Sequence, residues 1–148
     1  MCFPRVGMNG VILVEEAPLS LDAQGLLSRL DTSGCGAVVS FLGLTREWEG
    51  DAQVHRLEFD AWQDKLSPVL AGLAQQAIET YGVGAVAISH RTGQVGPQEP
   101  IVAIHVGSPH RKEAFVACEW LIDELKKQAP IWKKEVTSAG TTWKEGLG

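Results

Sequence analysis

Apolar and polar residues alternate strictly over Arg56–Trp62: Leu57, Phe59 and Ala61 fall on one side, and Arg56, Glu58, Asp60 and Trp62 on the other. A period of two predicts a half-buried strand. Val11–Glu16 reads as a second strand, and Gly36–Gly43 ("GAVVSFLG") is apolar and β-branched, which predicts a buried one. "AVAISHRTG" (85–93) and "IVAIHV" (101–106) predict two more. The period lengthens to that of a helix where Leu66, Val69, Leu70, Leu73, Ala77, Ile78 and Tyr81 recur on one face. A start near Lys65 puts Pro68 in the first turn, and Gly82 is the stop. Ala114, Phe115, Cys118, Leu121, Ile122 and Leu125 mark a final helix over Pro109–Gln128. A short helix lies in 20–30, with Ser20 as its N-cap and Leu26, Leu27 and Leu30 on one face. Strands and helices are interspersed without regular alternation. That predicts an α+β fold, with a mixed or antiparallel sheet and about three helices in a single domain over 11–148. Residues 1–10 read as a variable tail.

Composition narrows the function classes. The 148 residues carry a net charge of −5, against general nucleic-acid binding but not against a local pocket for a small anion. No apolar run approaches the roughly 18 residues of a spanning helix, and "MCFPRVGMNG" lacks the apolar core of a secretory signal, so a cytosolic protein is expected. Cys2, Cys35 and Cys118 are too scattered for a disulfide framework or a zinc knuckle. The histidines at 55, 90, 105 and 110 lack zinc-site spacing. Neither a phosphate-binding G-x-x-x-x-G-K-[ST] loop nor a G-x-S-x-G elbow occurs.

The chemistry that remains is cationic. In "SPHRKEAF", Ser108 suits an N-cap and Pro109 the first helical position, leaving His110 and Arg111 in the first turn. Cations there oppose the helix dipole unless an anion is bound, so an anion site and a surface Arg paired to a carboxylate are the two readings. Lys126 and Lys127 close the helix, where the dipole alone accounts for them. Pro130 ends it, and "IWKKE" as an extended segment sets Ile131, Lys133 and Glu135 on one face and Trp132 and Lys134 on the other. A half-buried Lys133 near other cations suits proton transfer or nucleophilic work. Arg46, in a loop after the 36–43 strand, is either a site residue or a salt bridge.

"GAVVSFLGLTRE", "HRTG", "SPHRKEAF", "IDELK" and "PIWKKE", in this order and spacing, resemble the catalytic (large) subunit of molybdopterin synthase over about Gly36–Trp143. The resemblance implies a hammerhead α+β fold and a homodimer within a heterotetramer. Each large subunit would receive the C-terminal Gly-Gly thiocarboxylate of a small ubiquitin-like sulfur carrier. Sulfur would pass to cyclic pyranopterin monophosphate to form the molybdopterin dithiolene, with no cofactor and no metal. Lys126 and Lys133 match the family's two essential lysines, and Leu44, Thr45 and Arg46 a substrate-contacting loop. His110 and Arg111 match residues that reach the phosphate from the neighbouring subunit. Lys133, Lys134 and Glu135 complete the pocket.

Departures from the family are local. "PQEP" (97–100) stands where a Gly and an acid are usual, and is expected to alter a turn away from the chemistry. "FDAW" replaces Tyr-Glu-Ala-Tyr, and the chain is short after Trp143. The alternative reading is a non-catalytic anion-binding scaffold of the same fold.

Overall fold

The two stretches richest in small and β-branched apolar residues lie side by side at the middle of a four-stranded sheet. They are β5 (Ala85–Arg91), buried at all seven positions, and β7 (Pro100–Ser108). The structure, a computed structural model, describes residues 10–145, so the expected tail lies almost wholly outside the described residues. β1 (Val11–Ala17) pairs parallel to β5, and β2 (Ala37–Leu44) closes the other edge antiparallel to β7, giving the order β1-β5-β7-β2. The sheet is mixed, and the fold is α+β as the pattern predicts.

A second sheet is built on β4 (Ala52–Ala61). Its neighbours are β8 (Ile131–Thr137) on one side, and β3 (Trp48–Glu49) and β6 (Gly93–Val95) on the other; β9 (Gly140–Glu145) follows β8. The alternation read at 57–61 holds, with Leu57 and Phe59 buried and Asp60 exposed. Two long helices, α2 (Gln63–Tyr81) and α3 (Arg111–Gln128), pack on one face of the first sheet and on each other. Their apolar stripes (Leu66, Leu70, Leu73 and Ile78 from α2; Leu121 and Leu125 from α3) join Ile88, Ile104, Leu57 and Phe59 in one core. The short α1 (Ala23–Ser28) covers the other face through Leu26, against Ala85, Ala87 and Ala103.

Several local expectations are corrected. β2 is an edge strand whose residues alternate, with Val38, Leu42 and Leu44 each more than 40% exposed, because α1 is too short to cover that margin. α1 is capped by Asp22, whose Oδ1 accepts from the Gly25 amide at 2.9 Å, and not by Ser20. α2 starts at Gln63, so Pro68 is the sixth helical residue and lies beyond the first turn. β7 runs through Ser108, which moves the cap of α3 to His110 and makes Arg111 its first residue. Strands β3, β6 and β9 were not foreseen. Gly82 does end α2, in the left-handed conformation at φ 71°.

Candidate functional site

The corner after α3 places the lysines. Ala129 leaves helical geometry before Pro130 while its N–H still caps Leu125. Lys126 therefore sits on the last helical turn, and Lys133 comes back along β8. Pairing sets Phe59 opposite Lys133 and Leu57 opposite Glu135 on one side, and Lys144 of β9 opposite Lys133 on the other. This inner face of the second sheet, the end of α3 and the Gly43–Val102–His90 row of the first sheet enclose a cavity of about 470 Å³.

Its charged lining is Arg46, Lys126, Lys133 and Lys144 against Glu49 and Glu135. Four cations and two carboxylates leave an excess of positive charge, which suits a small anion. Glu135, buried, pairs with Lys144 at 3.6 Å; Arg46, open to solvent, only approaches Glu49 at 3.9 Å, a weak pairing. Lys126 makes no ion pair among the described residues. Burial, and then the charge of Lys144 across the strand, pull the Lys133 ammonium below the usual lysine range, while Glu135 and Glu49 oppose that shift. Lysine 127 points away and pairs with Glu124 at 3.2 Å.

Of the residues expected at the site, Leu44, Arg46, Lys126, Lys133 and Glu135 meet in this cavity. Thr45 is buried outside the lining. Its N–H bonds the Glu99 carbonyl at 3.0 Å, and its carbonyl accepts from the Gln98 amide at 2.8 Å. The "PQEP" turn, with Gln98 at φ 65°, is thus bonded to the residue beside Arg46, and the expectation that it lies away from the chemistry is corrected. Lys134 faces outward, its Nζ 5.4 Å over the Trp143 ring. His110 and Arg111 are exposed at the far end of α3 and do not line the cavity. Lys144, Glu49, Phe59 and His90 line it unforeseen: strand pairing brings them in, and only the "HRTG" motif hinted at one of them.

The sequence model of the MoaE protein family matches residues 14–128. The chain belongs to the MoaE family. It is 35% identical over 132 residues to the molybdopterin synthase catalytic subunit of Cereibacter sphaeroides, covering 89% of each chain. It is 31% identical over 141 residues to that of Pyrococcus abyssi, covering 95% of each. The crystal structure of molybdopterin synthase from Staphylococcus aureus superposes with a TM-score of 0.79 at 32% identity, covering 91% of this chain and 96% of that one.

Two measurable consequences follow for this MoaE-family chain. A Cβ on Gly43 would stand 2.8 Å from Val102 Cγ1 and 3.3 Å from the Phe41 ring. Gly43→Val is therefore expected to crowd the cavity floor and weaken ligand binding about tenfold or more, read by calorimetric titration. His90 is buried, and burial lowers its pKa to about 4, with the Arg91 charge adding to the shift and the Arg91 carbonyl opposing it. With the folded value below the unfolded 6.5, the unfolded chain binds more protons between those limits. The contribution is full above pH 6.5 and is lost as pH falls toward 4. Urea unfolding at pH 6.5 and pH 5 should differ by about 2 kcal/mol from this group.

Proposed function

We propose that this chain is the catalytic subunit of a molybdopterin synthase. It transfers sulfur from the C-terminal thiocarboxylate of a small ubiquitin-like partner to cyclic pyranopterin monophosphate, forming the dithiolene. The observation that carries this reading is one cavity into which Arg46, Lys126 and Lys133 converge. Substrate phosphate and partner thiocarboxylate are both anions, and a site with excess positive charge holds them together. Arg46 and Lys126, both exposed, are the groups that receive them. Lys133, which gives up its proton more readily than a free lysine, moves protons as sulfur is delivered. In its charged form it stabilises the oxyanion formed when the thiocarboxylate acyl carbon is attacked. Leu44 and Glu135 shape the pocket, and Thr45 holds the Arg46 loop to the 96–99 turn. Lys134, on the outer face, meets the partner protein.

His110 and Arg111 enter the site from a second copy of the chain. Arg111 and Lys126 lie at opposite ends of one helix, about 22 Å apart, so one chain does not supply both to one small substrate. The apolar margin of β2 (Val38, Leu42 and Leu44) is the surface offered to that copy. No described helix is long and apolar enough to cross a membrane, and the reading places the protein in the cytosol. The convergence of Lys126, Lys133 and Arg46 disfavours a non-catalytic scaffold.

The test is reconstitution with a thiocarboxylated small partner and cyclic pyranopterin monophosphate. Dithiolene product is the expected result. Binding of both without product would favour the scaffold instead.

A further inference from the structure

The "HRTG" motif divides into two tasks. Arg91 is structural: its buried guanidinium donates to the carbonyls of Ala17, Pro18, Thr92 and Gln94 at 2.8–3.4 Å. His90 projects from the other face of β5, the one carrying Val86 and Ile88, and is 1% exposed while lining the cavity. Its ring is held at two points. Nδ1 lies 2.7 Å from the Arg91 carbonyl oxygen, and the ring stands edge-on to Phe59 at 5.4 Å and 86°. A carbonyl only accepts, so Nδ1 carries the proton and Nε2 keeps its lone pair. No described residue hydrogen-bonds to Nε2. Every other polar side chain lining the cavity is charged, and the neighbours of His90 in its row, Gly43 and Val102, have no polar side-chain atom. Burial also keeps the imidazole neutral down to about pH 4.

We propose that His90 Nε2 is a substrate-contact acceptor, receiving a hydrogen bond from an N–H of the heterocycle held in this cavity. The inference rests on the synthase reading, under which the ligand is a reduced pterin. Lysines and arginine recognise its anionic end. They donate only, and do not distinguish a ring N–H from a bare ring nitrogen. The two carboxylates of the lining do accept, but Glu135 is paired with Lys144 at 3.6 Å and Glu49 faces Arg46 at 3.9 Å. A neutral, pinned acceptor does distinguish them, because a ring nitrogen presenting its own lone pair there would leave both atoms unpaired.

The experiment uses the assembled synthase with ¹⁵N-histidine in this chain. The free protein should show His90 protonated at Nδ1 only. Cyclic pyranopterin monophosphate should move the Nε2 resonance toward its hydrogen-bonded position while the Nδ1 proton persists; inorganic phosphate alone should not. His90→Phe should raise KM about tenfold, a larger effect than on kcat, with the unfolding midpoint recorded separately. Where that variant does not fold, the labelled wild type decides. An unmoved Nε2 at saturation, the same shift with phosphate alone, or the opposite tautomer would overturn the proposal. Product formation with an unmoved Nε2 overturns this contact and leaves the synthase reading standing. No product from the wild type removes both.

Discussion

Lys133→Ala and Lys126→Ala are each expected to give a folded protein with at least a hundredfold less dithiolene product. Neither side chain belongs to the buried core, so the unfolding midpoint should change little while turnover collapses. Lys133 faces the cavity between Lys144 and Phe59, and its proton is loosened by burial and by the positive charge opposite it. The sign of that shift makes a second readout. Where Lys133 acts as the free amine, the wild-type rate rises with pH along a limb lying below the range of an exposed lysine, and Lys133→Ala lacks that limb. Lys127→Ala is the control on the same turn: rotated by about 100° from Lys126 and engaged with Glu124, it should leave product formation close to wild type. Product at wild-type levels from both site variants would remove the lysines from the chemistry.

The next largest effect concerns assembly. Arg111→Ala homodimers should lose most turnover under limiting substrate, and so should Lys126→Ala homodimers. If each site joins Lys126 of one chain to Arg111 of the other, random exchange makes half the dimers mixed. One of the two sites in each mixed dimer is then intact, so about a quarter of sites recover. Sites built within one chain would recover none. Activity after verified exchange of tagged subunits therefore decides between the two arrangements directly.

How much was legible follows from where information sits along the chain. Both long helices and β4 announce themselves by local period, because burial on one face writes a repeat into neighbouring residues, whereas β1, β2, β5 and β7 show only as short apolar runs rich in β-branched residues. The C-terminal turn was equally local: Pro130 breaks α3 wherever it lies, and Lys133 alternates with Trp132 in any extended segment. The exposure of β2 was not local. "GAVVSFLG" is as apolar as a central strand, and only the order β1-β5-β7-β2 makes it an edge. Lys144 and Glu49 join the site through β-pairing, and a register cannot be read from one strand alone. The "PQEP" turn was misjudged for the same reason, since its bonds go to Thr45, more than 50 residues earlier. His110 and Arg111 carry a visible helix start, but the fold leaves them off this chain's own cavity, at the far end of α3 from Lys126.

The pairing of β4 with β8 also has a bearing on how the protein is made. Ala61 leaves the ribosome about 70 residues ahead of its register partner Ile131. At 5–20 residues per second, β4 waits roughly 4–14 s for β8. During that interval Leu57 and Phe59 lack the wall that later covers them, and one edge of β4 has unpaired N–H and C=O groups. Nascent chains are thus most exposed to aggregation and chaperone capture in this window. Slowing translation between residues 61 and 131 should lower the soluble yield, even though every mature contact is unchanged.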